Sequence, residues 1–173
     1  MKKGVKITLI VVGVIVGLLA IAAVGYKMMF SQGIAKSFEI NNPDLETKVL
    51  IATQGSDFKD ALVSGIIEEL KTKAVYMKVI DVTALSSMQE AEWNAVVVLS
   101  TCQSQSLQTE TMAYLQQVNA LEKHVVLITS GAGDWKPQEV SFDSISSASK
   151  TANVAPLVAR IITQLEEILE KTS

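Results

Sequence analysis

The chain reads as an α/β domain of the doubly wound type, a parallel sheet with helices on both faces, behind one apolar amino-terminal helix. Three observations carry this. Residues 48–70 (KVLIATQGSDFKDALVSGIIEEL) pass from a short apolar run through a small polar loop into a helix-period pattern. Similar apolar runs recur downstream, separated by helical or turn-like stretches. Finally, residues 7–24 carry no charge.

The amino-terminal stretch comes first. Lys2, Lys3 and Lys6 precede Ile7–Val24, where Thr8 is the only hydroxyl, and Tyr26 and Lys27 close it. A run of this length can cross a hydrocarbon core. Three lysines before it and one after place the amino terminus in the cytoplasm and the domain outside, as a single-pass anchor. The competing reading is a cleaved signal peptide, since Ala20-Ile21-Ala22 has the small-x-small form of a cleavage site. No cysteine lies near the span, so a lipid anchor is excluded. Residues 1–27 are thus the tip and anchor. Residues 28–46, with Gly33, Asn41, Asn42, Pro43 and no period, read as a tether, and 47–173 as the domain.

Within the domain, Val49-Leu50-Ile51-Ala52 is too short for a helix and apolar throughout, as a strand buried on both faces is. Thr53-Gln54-Gly55-Ser56-Asp57 turns the chain, and Phe58, Ala61, Leu62, Gly65, Ile66 and Leu70 give the following helix its inner stripe. Ala74–Val82 is a second strand, Ser86–Ala91 at most a short helix, and Trp93–Ser100 a third strand. Leu107–Leu121 is helical and His124–Ser130 is the fourth strand. Glu139–Ile145 is the candidate for a short fifth strand at the edge. The last helix carries Val154, Leu157, Val158, Ile161, Ile162, Leu165, Ile168 and Leu169 on one stripe, with Asn153 as its expected cap and Pro156 in its first turn.

This alternation resembles the flavodoxin-like fold over residues 47–171, with expected strand order 2-1-3-4 and the edge strand beyond. The first loop carries the resemblance furthest. Flavodoxins hold the phosphate of flavin mononucleotide (FMN) with a loop such as T-x-T-G-N-T running into a helix, and Thr53-Gln54-Gly55-Ser56-Asp57 stands in that place. The resemblance implies an FMN pocket over three loops, Thr53–Asp57, Ser100–Ser106 and Gly131–Trp135. Thr101, Cys102 and Ser104 would lie in the second, and Gly131 and Trp135 in the third, where Trp135 would either stack on a ring or cover the sheet end. The loop also departs from the pattern. Gln54 and Asp57 replace hydroxyl donors, and a carboxylate would repel a phosphate seated on backbone N–H groups. Asp57 reads more simply as a helix cap. A second, shorter likeness is that of Asp143-Ser144-Ile145-Ser146-Ser147-Ala148-Ser149 to the D-x-x-S/T-G-A-S/T segment of FMN-binding domains in ion-translocating reductases. It implies a flavin phosphoester on Ser149, although Ser147 replaces the glycine.

Charge and composition exclude several classes. All 18 acidic residues but only 11 of the 15 basic ones follow residue 30, leaving a net −7 (11 − 18) there. Such a surface is a poor match for nucleic acid. One histidine, His124, makes no metal cluster. The single Cys102 has no basic neighbour in sequence to lower its pKa, so a quiet thiol is expected. Nothing reads as a catalytic triad, P-loop or dinucleotide fingerprint. The leading expectation is a membrane-anchored, extracytoplasmic binding or interaction module with a modified cofactor pocket. The runner-up is an FMN-bearing electron carrier serving a membrane redox partner, and the third reading is an enzyme acting through Cys102.

Overall fold

The computed structural model describes residues 3–30, 32–103, 105–118, 121–131, 133 and 142–172, with side chains in the first helix described over residues 12–25. The chain forms two compact units, residues 1–32 and 33–173. The first is α1 (Lys3–Phe30), a continuous helix. Its described side chains include Val12, Val14, Ile15, Val16, Leu18, Leu19, Ile21 and Val24, all exposed. Among the described residues no helix is long and apolar enough to cross a membrane.

Among the described residues the second unit has six strands: β1 (Phe38–Ile40), β2 (Thr47–Thr53), β3 (Val75–Asp81), β4 (Ala95–Thr101), β5 (His124–Ser130) and β6 (Ile145–Ala148). Helices α2 (Asp57–Leu70), α3 (Thr109–Gln117) and α4 (Val154–Thr172) connect or follow them. The sheet order is β1-β3-β2-β4-β5-β6. All neighbours are parallel except β1, which runs antiparallel to β3 with Phe38 opposite Val79 and Ile40 opposite Met77. The order therefore differs from the 2-1-3-4 expectation, because a strand is added outside β3 from residues that show no period. Three residues are too few to reveal one.

Alternation along the inner strands builds two cores. Val49 and Ile51 of β2, Val97 and Leu99 of β4, and Val125 and Leu127 of β5 face α2 and α4. Leu50, Ala52, Val96, Val98, Val126 and Ile128 face the other layer, which includes Leu85, Trp93, Tyr114 and Leu115. Nearly every one of these side chains is fully buried, the valines, leucines and isoleucines each stabilising the fold by roughly 1.5–3 kcal/mol relative to exposure. Asn94 ties the entry of β2 to that of β4: its side-chain oxygen accepts from the Lys48 N–H at 2.8 Å, and its own N–H donates to the Lys48 carbonyl at 2.9 Å.

Several boundaries move from their sequence positions. Residues 82–92 hold two 3-10 turns, Val82–Ser87 and Glu90–Glu92, in place of one short helix. α3 stops at Gln117, and a 3-10 turn follows at Leu121–Lys123. The fifth parallel strand is Ile145–Ala148, one residue of which falls in the expected segment; residues 134–141 lie outside the described residues. Asn153 does not cap α4. Its side-chain NH2 instead donates to Ser147 Oγ (3.2 Å) and the Ala148 carbonyl (3.0 Å), tying the helix entry back to β6.

α2 and α4 meet closely at Gly65, where a Cβ would stand 2.7 Å from Val158 Cγ2. A β-branched valine in a helix has little rotamer freedom with which to yield. Gly65→Ala gains about 1 kcal/mol of helix propensity but overpacks at about 1–3 kcal/mol, so denaturant unfolding should show a net loss of up to about 2 kcal/mol. In the double variant with Val158→Ala, the two changes should couple favourably rather than add. Simple additivity would mean that the helices part without resistance.

Candidate functional site

The carboxyl ends of β2, β4, β5 and β6 bring their following loops to one edge of the sheet, where a fold of this type offers its crevice. The β2–α2 loop comes first. Thr53 is buried, and its hydroxyl donates to the Gln54 carbonyl at 3.3 Å. Gln54 is also buried and acts as a brace. Its Oε1 accepts from the Thr101 N–H at 2.7 Å, and its Nε2 donates to Gln108 Oε1 at 2.7 Å. Ser56, not Asp57, is the N-cap of α2, accepting from the Lys59 N–H at 3.3 Å, while Asp57 is exposed in the first turn.

Gly55 meets a partner that sequence reading missed. Its N–H donates to the Gly33 carbonyl at 2.7 Å and its carbonyl accepts from the Gly33 N–H at 2.8 Å. A Cβ on Gly55 would lie 2.9 Å from both the Gly33 carbonyl carbon and the Ile34 oxygen. One residue further, the Ala35 N–H donates to Asp81 Oδ2 at 2.6 Å. Asp81, at the end of β3, also accepts from the Thr83 N–H (3.0 Å) and hydroxyl (2.7 Å). The supposed tether thus lies as a strap over the ends of β2 and β3.

Beneath the loop is a buried cation. Lys59, 1% exposed, hydrogen-bonds through Nζ to Thr101 Oγ1, which lies 3.1 Å from Thr129 Oγ1. Burial pushes the Lys59 amine down to about 8. The sequence signal was available: Lys59 stands three residues before Leu62 and seven before Ile66, on the inner stripe. Conversely Ala61, assigned to that stripe, is exposed.

The remaining candidates separate. Cys102 is half-buried, its N–H donates to the Thr129 carbonyl at 2.8 Å, and burial pushes its thiol up, so it is a weak nucleophile. Gly131 is exposed, while Gly133 has φ +101° and its N–H donates to Ser130 Oγ at 2.9 Å. Ser149 is exposed just beyond β6, its N–H donating to the Ser130 carbonyl at 3.3 Å. Ser104 and Trp135 lie outside the described residues. His124 sits at the opposite, amino-terminal end of β5, with Nε2 2.9 Å from the Tyr114 hydroxyl, and burial pushes it down to about 4. Among the described residues no group of side chains could hold a metal ion.

With this geometry in place, comparison with solved structures defines the fold. The flavodiiron core of Flv1 from Synechocystis sp. PCC6803 superposes with a TM-score of 0.56 at 15% identity, over 75% of this chain and 38% of that one. The fold is flavodoxin-like. Rubredoxin:oxygen oxidoreductase from Desulfovibrio gigas matches at TM-score 0.48 and 11% identity, over 73% of this chain and 37% of that one. A flavodoxin from the domain Archaea matches at 0.47 and 14%, over 70% and 99%. The chain spans less than two fifths of the length of the first two. No family model matches the chain, and no curated protein matches it.

The described residues leave no room for a phosphate at Gly55. The Gly55 N–H is bonded to Gly33, the Thr101 N–H to Gln54, and the space above Gly55 holds the backbone of residues 33–34. A phosphate at a helix start needs such donors uncommitted.

Lys59 yields a direct test. Its folded value of about 8 lies below the ordinary 10.5, so between them the unfolded chain binds more protons and stability rises with pH. Below about pH 8 the cost of the buried charge is fully present. Unfolding free energy should climb by roughly 3 kcal/mol between pH 8 and 10.5, and Lys59→Met should remove that rise. A wild-type profile flat across this window would contradict a strained ammonium.

Proposed function

We propose that this protein is a membrane-anchored, extracytoplasmic binding or interaction module on a flavodoxin-like scaffold, one that carries no flavin. The single observation behind this reading is the reciprocal Gly33–Gly55 pairing, which commits the loop's backbone to the chain's own strap. The Lys-flanked apolar run in the sequence supports the anchor, and the acidic charge beyond residue 30 supports a protein partner over nucleic acid. The Cys102 thiol, held neutral by burial, supports a non-enzymatic role. A second reading, an FMN-bearing electron carrier for a membrane redox partner, draws on the likeness in fold to a flavodiiron core.

Flavin decides between them. The protein from its native host should be colourless, have the mass of the unmodified polypeptide, and show no fluorescence quenching in FMN titrations to millimolar concentration. Asp57→Thr should not restore binding, since removing a repulsion frees none of the bonded N–H groups. A yellow protein, or a flavin mass on Ser149, would establish the electron carrier instead.

For the anchor, the full chain should stay in the membrane pellet after alkaline carbonate extraction, and protease added to spheroplasts should remove the domain. A mature amino terminus near Ala23 would replace the anchor with a cleaved signal peptide.

A further inference from the structure

We propose that residues 33–40 are a displaceable strap occupying, in cis, a site that takes an extended polypeptide segment of a partner protein. The inference rests on the reading of the protein as a flavin-free interaction module. The strap is held largely by backbone. Gly33 exchanges two hydrogen bonds with Gly55, the Ala35 N–H reaches Asp81, and Phe38–Ile40 pairs with Met77–Val79. Its amino-terminal side chains contribute little, Ile34 being 83% exposed and Phe38 44%; at its far end Ile40 packs against the core and Glu39 pairs with Lys78 at 3.3 Å. An open cavity of about 430 Å³ lies between the strap and α2, bordered by Ala35, Phe38, Thr53, Val63, Ser64 and Val79.

What lies under the strap has the composition of a peptide site. Lifting it uncovers a donor and an acceptor at Gly55, a carboxylate acceptor at Asp81 aimed at a backbone N–H, and the open edge of β3. Strand addition to a sheet edge uses such a set, with main-chain bonds giving affinity and adjoining pockets selecting side chains. The close approach at Gly55 sets a specificity rule. Glycine is favoured at the facing position, because a Cβ at Gly33 would stand 3.2 Å from the Gly55 oxygen and the two backbones would have to part by a few tenths of an ångström. The favoured partner segment is therefore extended, with a glycine two residues ahead of the residue whose N–H meets Asp81.

The test uses the full chain in detergent micelles. Gly33→Val alters only the strap and leaves both cores untouched. Native-state hydrogen exchange should show the Gly55 and Ala35 amides opening together, at least tenfold faster in Gly33→Val, while Val97 and Leu127 are unchanged. A fluorescent peptide of residues 32–41 should bind Gly33→Val at least tenfold more tightly than wild type, and the same peptide with valine for its glycine should bind at least tenfold more weakly. Exchange of Gly55 only at the rate of the β4 and β5 amides would overturn the proposal, as would a freed strap with no peptide binding. FMN binding by wild type with the strap still opening as a unit would remove the flavin-free reading and leave the strap standing.

Discussion

The structure depends on the burial of β2 on both faces. A strand covered from above and below must present apolar side chains in both directions, as Val49 and Ile51 do to one core and Leu50 and Ala52 to the other. Polar chemistry is thereby driven to the strand ends, where backbone groups leave the ladder. Thr53, Asp81, Thr101 and Thr129 all stand there. Lys59 follows the same logic from the helix side. Its buried ammonium reaches the Thr101 hydroxyl at the end of β4, itself linked to Thr129 of β5, which stands in only partly for water.

How much of this was legible in the sequence follows from what kind of atom makes each contact. The inner strands and α4 declared themselves because side chains carry their burial, and side chains are what a sequence spells. Lys59 was legible too, as a charge on an apolar stripe. The strap was not. Gly33, Ala35 and Gly55 interact through N–H and carbonyl groups that every residue has, and β1 is too short for alternation to show. The same blindness explains the cap, since choosing between Ser56 and Asp57 turns on where the helical dihedrals begin.

The glycine at 55 shows how one letter supports two physical causes. In a phosphate-binding loop a glycine lets backbone approach an anion. Here it lets backbone approach backbone: Gly55 is not among the residues with positive φ, whereas Gly133 is. Space, and not dihedral freedom, is what the position requires. The resemblance at Thr53–Asp57 therefore captures a real geometric demand for close approach at the start of α2, while the group that approaches is different.

That difference bears on why the segment after residue 32 docks at all. A polar linker of this length would be expected to float, since ordering each residue costs about 1–2 kcal/mol of backbone entropy. Each backbone hydrogen bond returns only about 0.5–1.5 kcal/mol net, so the strap's few bonds do not cover that cost alone, and Ile40 packed against the core adds to them. Its far end is fixed better than its middle. Asn41 takes φ +66°, and its side chain donates to the Val75 carbonyl at 2.8 Å, closing the turn into residues 42–46. A segment pinned at its far end, where Ile40 packs on the core, and held elsewhere by backbone bonds over an open cavity is poised to exchange. This is the property that separates a replaceable strand from a structural one.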